Sequence, residues 1–152
     1  MKPGVTVRGI IAGLVATLVL SATMLMKRSM GLMPELDPIA MITVMAGASS
    51  AAVGWIGHFL IGAIFWGVGF AILSPYLPGA HCVRGLIFAI GAWLMMMMIV
   101  VMPVAGAGMF GLGLGMMTPV ATLLLHVVFG LVLGGVYGLL GGGETSIAGC
   151  PR

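Results

Sequence analysis

Charge is the scarcest property of this sequence. Nine of its 152 residues carry a formal charge, which is 6% against roughly 25% in ordinary soluble domains. Such a chain can neither solvate a soluble surface nor remain disordered in water. Its net charge of +3 is also too small and too dispersed for a nucleic-acid-binding face. These shortages exclude a soluble domain and a nucleic-acid partner, and they predict that the lipid bilayer surrounds most of the protein.

The sequence also lacks the motifs of membrane-bound enzymes. It contains no Gly-x-Ser-x-Gly, no His-Glu-x-x-His and no phosphate-binding loop. No Asp or Glu lies within a long apolar segment, so acid–base catalysis and carboxylate-coupled ion transport lack their usual residues. We therefore expect a protein that is not an enzyme.

Long apolar segments dominate what is present, since 61% of the residues are hydrophobic. About 20 helical residues cross a hydrocarbon core of about 30 Å. The segments do not alternate as membrane β-strands do, so they predict helices. The expected fold is all-α: one domain over residues 1–152, an integral membrane four-helix bundle. Its predicted spans are Gly9–Met26, Gly54–Leu73, Leu86–Met102 and Val120–Leu140.

The basic residues predict the orientation of these spans. Four of them flank the side that holds both termini and two flank the opposite side, which favours cytoplasmic termini. The four are Lys2, Arg8, Arg84 and Arg152, and the two are Lys27 and Arg28. Cys82 and Cys150 would then face the cytoplasm as reduced thiols.

Two loops on the outward side are unusually apolar. Asp37-Pro38 has the pattern of an N-cap followed by proline at the first helical position, so Ile39–Ala46 is predicted to form a short interfacial helix. The segment Pro103–Gly111 is rich in glycine and has no charge. It is predicted to be a re-entrant loop that dips toward the bilayer, with an ordinary surface loop as the alternative.

The chain contains a weak internal repeat. Arg8-Gly9 before the first span recurs as Arg84-Gly85 before the third, and residues 8–26 match residues 84–102 at six positions. The second and fourth spans align separately, with His58 on His126, Gly62 on Gly130, Gly67 on Gly135 and Val68 on Val136. The pattern predicts two similar hairpins related by a pseudo-twofold axis along the membrane normal.

His58 and His126 are the candidate site residues, because ionisable side chains inside a membrane are rare. Both would lie in the outward half of the bilayer, and each is followed by a glycine four residues later on the same helical face. Three interpretations remain open for this pair: structural hydrogen bonding, metal or haem ligation, and a pathway for protons or solutes.

Methionine is concentrated near the same level. Apart from Met1, all fourteen methionines lie between residues 24 and 45 or between residues 95 and 117. Thioether sulfur is a soft ligand suited to Cu(I), although methionine also fills irregular apolar space. Met95, Met98 and Met102 share one face of an α-helix. They are the candidate metal ligands beside the two histidines, with copper or haem as the candidate cofactor.

Three stretches resemble a family of small bacterial inner-membrane proteins that carries only a domain-of-unknown-function label. They are KRSMGLMPELD at 27–37, GWIGHF at 54–59 and MPVAGAG at 102–108. The resemblance covers most of residues 8–140. It implies a four-helix protein of the bacterial cytoplasmic membrane and adds no reaction.

Three functions fit these observations. The first is an accessory or binding protein whose site surrounds His58 and His126, with a membrane-protein partner or a second copy of the chain as further candidates. The second is a small channel or carrier for a proton, a metal ion or a small solute. The third is a structural subunit of a respiratory complex, which predicts broad apolar faces and no pocket.

Overall fold

The computed structural model describes residues 3–141, except the side chains of Pro3, Met98 and Ile99. This part of the chain is all-helical and contains no β-strand. Its α-helices are α1 (Pro3–Ser29), α2 (Pro38–Met45), α3 (Ala51–Leu60), α4 (Gly67–Leu73), α5 (His81–Met95), α6 (Val101–Val104) and α7 (Thr118–Leu139). Two π-helical turns are π1 (Ile61–Trp66) and π2 (Met96–Val100), and two 3₁₀ turns are Ser74–Tyr76 and Met109–Leu114.

Three helices are long and apolar enough to cross a membrane. They are Gly4–Ser29, Ala51–Tyr76 and Thr118–Leu139, with 26, 26 and 22 residues. These helices contain the first, second and fourth predicted spans almost completely. The third predicted span, Leu86–Met102, is divided between α5, π2 and α6, and α5 alone has only 15 residues. The prediction of an all-α protein is confirmed, and three of its helices are long and apolar enough to cross a membrane. The four-span arrangement stays a prediction.

Sequence signals explain where the helices end. α1 is followed by Gly31 at φ +66°, a left-handed conformation that favours glycine and closes many helices. Proline stands in the first turn of both α2 and α7, where its missing N–H costs no hydrogen bond. The predicted short helix is present as α2, because the Asp37 carboxylate accepts hydrogen bonds from the backbone N–H of Ile39 and Ala40 at 3.0 Å.

The long helices pack as two pairs. α1 lies against π1 and α4, α5 lies against α7, and α1 and α7 join the pairs. One core cluster fills the space between them. It includes Phe70, which packs edge-to-face against Phe88 and Tyr137. The centre of the Phe70 ring lies 5.4 Å from that of Phe88 and 5.2 Å from that of Tyr137. Phe70 and Leu133 are fully buried.

Glycines bring the backbones of each pair together at one end of the bundle. A methyl group on Gly9 would clash with the carbonyl oxygen of Gly67. In the other pair, a methyl group on Gly85 would clash with the carbonyl oxygen of Gly130 and would lie 2.8 Å from the Cα and N of Gly134. We call this end, with the N-termini of α1 and α5 and the C-terminus of α7, the glycine-packed end.

The glycine-rich loop after α6 folds back onto the opposite end. Gly106, Gly108 and Gly111 have φ values between +71° and +74°. These turns place Ala107 in a second buried cluster with Leu36. Ala107 is 4% exposed and Leu36 is 2% exposed. The loop is therefore packed against the bundle, and its depth in a bilayer stays a prediction.

Cys82 corrects one expectation. Its side chain is buried and disulfide-bonded, so the prediction of a reduced thiol is wrong for this residue. Cys150 lies outside the described residues. Disulfides persist in oxidising compartments. Cys82 therefore lends no support to the cytoplasmic assignment of its end, which rests on the charge count alone.

Candidate intramembrane ligand site

A cavity of about 140 Å³ lies between the helices at the end opposite the glycine-packed end. We call it the central cavity. Residues of α1, α2, α3, π1, α5, π2, α6 and α7 line it, together with Leu36 from the loop before α2. Both His58 and His126 are lining residues. The structure therefore brings the two candidate histidines to one cavity.

The hydrogen bonds of His58 define its tautomer. Its Nε2 lies 3.1 Å from the Ser21 hydroxyl, which itself lies 2.7 Å from the Thr17 carbonyl oxygen. A carbonyl oxygen only accepts, so the Ser21 hydroxyl donates its single proton to Thr17. Nε2 of His58 must then be the donor to Ser21. In a neutral ring this leaves Nδ1 as the nitrogen with the lone pair.

His126 is also held by one ring nitrogen, which is Nδ1 rather than Nε2. Its Nδ1 lies 2.8 Å from the carbonyl oxygen of Thr122, one turn earlier in α7. Because that oxygen only accepts, Nδ1 carries the proton and Nε2 carries the lone pair. Within residues 3–141 no hydrogen bond reaches Nδ1 of His58 or Nε2 of His126. Each ring thus has one nitrogen held by a helix and the other without a partner.

The two threonine hydroxyls of the central cavity already have hydrogen-bond partners. The Thr17 hydroxyl donates to the carbonyl oxygen of Gly13 at 2.7 Å. The Thr122 hydroxyl donates to the carbonyl oxygen of Thr118 at 2.8 Å and accepts from the Trp93 indole at 3.1 Å. No described lining residue is charged. The two lone-pair nitrogens are therefore nitrogen acceptors without a partner on the described side chains that line this cavity.

Methionine side chains supply much of the remaining wall. Five of them line the cavity: Met24, Met41, Met96, Met97 and Met102. Of the predicted ligands, Met102 is among them, Met95 is not, and the side chain of Met98 lies outside the described residues. The clustering of methionine in the sequence indicated the region, and the assignment of Met95 and Met98 as metal ligands stays a prediction.

The two π-helical turns affect which side chains reach the central cavity. π2 begins at Met96, so the residues after it do not follow α-helical periodicity, and Met96 and Met97 both reach the cavity. π1 likewise contributes Ile61, Gly62 and Trp66. Turns of this kind occur frequently at functional sites. The sequence carries no simple signal for either of them.

The model of the family described as "Family of unknown function (DUF6789)" matches residues 3–147. The chain belongs to this family. No curated protein matches, and no solved structure matches. Membership in DUF6789 assigns neither a ligand nor a reaction, so any function has to come from the site itself.

The three stretches that carry the family resemblance meet at the central cavity. Residues 27–37 contribute Leu36, residues 54–59 contribute His58, and residues 102–108 contribute Met102. The first stretch is shaped by Lys27, whose ammonium group donates to the carbonyl oxygens of Leu32, Met33 and Leu36 at 2.7–3.0 Å. These hydrogen bonds fix the loop that brings Leu36 over the cavity.

Proposed function

We propose that this protein is a non-enzymatic, membrane-embedded binding protein whose central cavity takes a single soft metal ion, with Cu(I) as the candidate. The observation that carries the proposal is the composition of that cavity. Two imidazoles with unpartnered lone pairs and five thioethers line one space with no described charged side chain.

The donor chemistry favours a soft, singly charged cation. Neutral imidazole and thioether ligands suit Cu(I), whereas Mg²⁺ and Ca²⁺ prefer oxygen ligands that this cavity does not offer. A monovalent ion also carries the least uncompensated charge into an apolar site. Ser21 and the carbonyl of Thr122 hold the N–H groups of the two rings, an arrangement that orients metal-binding histidines in proteins.

Cavity size argues against haem. A dry cavity of roughly 150 Å³ accommodates one benzene molecule. The central cavity, at about 140 Å³, is of that size and far too small for a macrocycle of four pyrrole rings. A single ion or a small apolar molecule fits without displacing a helix.

The alternative functions receive less support from the packing. A channel requires a continuous path, but the residues beyond the cavity include fully buried Phe70 and Leu133 and the backbone contacts of the glycine-packed end. A purely structural subunit predicts no pocket. We retain the bacterial cytoplasmic membrane and four spans with both termini on one side as part of the proposal.

Titration of the detergent-purified protein with Cu(I), under reducing conditions and against a coloured Cu(I) chelator, tests the assignment. We expect one ion per chain. His58→Leu and His126→Leu should each weaken binding at least about tenfold, since loss of even an outer hydrogen-bond partner of a ligand costs about that much. Met97→Leu and Met102→Leu should weaken binding less.

Two matched controls make the result specific. His81→Leu removes the third histidine of the sequence, and Met95→Leu removes a methionine beside the cavity wall. Neither should change the affinity. A protein that takes no Cu(I) from the chelator, or controls that lose as much affinity as the cavity variants, would overturn the proposal.

A further inference from the structure

Arginine side chains gather at the glycine-packed end, outside the central cavity. Arg8 lies in the second turn of α1 and Arg84 in the first turn of α5. Both helices begin at this end, so their positive dipole ends point the same way. The acidic residues among the described part of the chain are Glu35 and Asp37, in the loop at the opposite end. Glu144 lies outside that part.

Arg8 is held against Tyr137 near the end of α7. Its guanidinium carbon lies 4.6 Å from the centre of the Tyr137 ring, a cation–π contact. One terminal nitrogen, Nη2, donates to the carbonyl oxygen of Tyr137 at 3.4 Å. The guanidinium is thus oriented by an aromatic face rather than by a carboxylate.

His81 lies one helical turn before Arg84 on α5 and joins Arg84 to the same group of side chains. The ring of His81 lies 6.1 Å from that of Tyr137. His81 precedes the predicted span Leu86–Met102, and its pKa is lowered by burial and then by the positive charges of Arg84 and Arg8. Both arginines therefore act on one side chain, and positive charge converges there without a described carboxylate to balance it.

The Nε atoms of the two arginines show that this cluster is incomplete. Both atoms are buried, and neither has a hydrogen-bond partner among residues 3–141. An N–H group buried without a partner costs about 1–3 kcal/mol, and more when the group is charged. Two such groups at the glycine-packed end indicate a ligand that accepts hydrogen bonds from both arginines.

We propose that Arg8 and Arg84 bind the phosphate group of an anionic phospholipid headgroup. Guanidinium groups bind phosphate through paired N–H donors, and phosphate oxygens accept several hydrogen bonds at once. The location suits a headgroup, because both residues stand at the start of helices whose following residues are apolar. This site is separate from the central cavity and does not depend on its ligand.

Native mass spectrometry of the detergent-purified protein tests the proposal by counting bound lipids. The probes are phosphatidylglycerol, phosphatidylcholine and inorganic phosphate. We expect one phosphatidylglycerol per chain to bind more tightly than phosphatidylcholine. Arg8→Gln and Arg84→Gln should each weaken its binding about fivefold, the equivalent of about 1 kcal/mol for each arginine. Arg28→Gln removes an arginine at the opposite end and should change nothing.

The outcomes separate the sources of the phosphate. A wild-type protein that binds both lipids equally well overturns the proposal without requiring any variant to fold. Saturation by inorganic phosphate with no lipid preference overturns the headgroup assignment. Equal losses in Arg28→Gln and Arg84→Gln also overturn it. If a glutamine variant fails to fold, Arg84→Lys retains the charge but not the paired donors, and it should bind phosphatidylglycerol more weakly than wild type.

Discussion

The two ends of the bundle use the same kind of helix for opposite purposes. At the glycine-packed end, Gly85 lies directly against the backbone of Gly130 and Gly134, and no space remains for a methyl group. At the cavity end, Met97, Met102 and neighbouring large side chains line an opening of about 140 Å³. In lipid, where apolar surface gains little from association, close backbone packing is a principal source of helix affinity.

The contrast between the two ends explains how so small a protein can hold an empty space. The glycine contacts fix the helices at one end, so the other end can separate without loss of the pairing. Substitutions that treat the two ends alike should therefore have unlike effects.

The largest expected effect comes from a methyl group at the glycine-packed end. Gly85→Ala should lower the free energy of unfolding by about 3 kcal/mol, because its Cβ would meet backbone atoms that cannot move aside. Gly91→Ala is the matched control on α5, since it faces open space, and it should be neutral or slightly stabilising. Denaturation in mixed detergent micelles measures both, and equal effects would contradict the packing described.

At the cavity end, Lys27→Met should cost about 2 kcal/mol of unfolding free energy. It removes a charged donor from three loop carbonyls, and hydrogen bonds to charged groups are the stronger class. The neighbouring Arg28→Gln breaks only an exposed ion pair to Asp37 at 3.7 Å and should cost less than about 1 kcal/mol. A reversed order of these two losses would show that the loop is not organised by Lys27.

The cap of α2 provides a smaller effect on the same loop. Asp37→Ala removes the acceptor of two backbone N–H groups and should cost about 1 kcal/mol. Asp37→Asn retains an oxygen that can cap the helix and should recover most of the loss. Thermal unfolding resolves the pair, and a similar loss in Asp37→Asn would assign the effect to the ion pair with Arg28 instead.

The smallest stability change should come from filling the central cavity. Ala92→Leu places a larger side chain in open space and should alter the unfolding free energy by less than about 1 kcal/mol, while it abolishes Cu(I) binding. Ala89→Leu, one turn earlier on α5, meets Gly130 and should be destabilising. If Ala92→Leu binds Cu(I) normally, the central cavity is not the metal site.

Much of the fold could be predicted because membrane helices leave a strong signal. Apolar length located the long helices, and the Asp37-Pro38 pattern located α2 and its cap. The sequence also predicted His58 and His126 as the candidate pair, and both line the central cavity. The hydrogen-bond partners of the histidines could not be predicted. Ser21 belongs to a different helix from His58, and no periodicity in the sequence indicates which side of that helix faces His58.

Details that depend on helix register could not be predicted. The aligned repeat pairs Gly67 with Gly135, yet Gly134 is the residue packed against Gly85, while Gly67 packs against Gly9. The extra residue of π1 accounts for this offset of one position. The residues after Met95 leave α-helical register for the same reason, because π2 begins at Met96.

Each π-helical turn also makes the chain sensitive to its length. The additional residue in π1 rotates everything beyond it by about 100°, the angle between successive residues on an α-helix. That rotation lets His58 face the cavity while Gly67 faces Gly9. Deletion of one residue between 61 and 66 would let a regular α-helix keep both halves on their present neighbours. Insertion of one residue there would instead turn one half of the helix away from them.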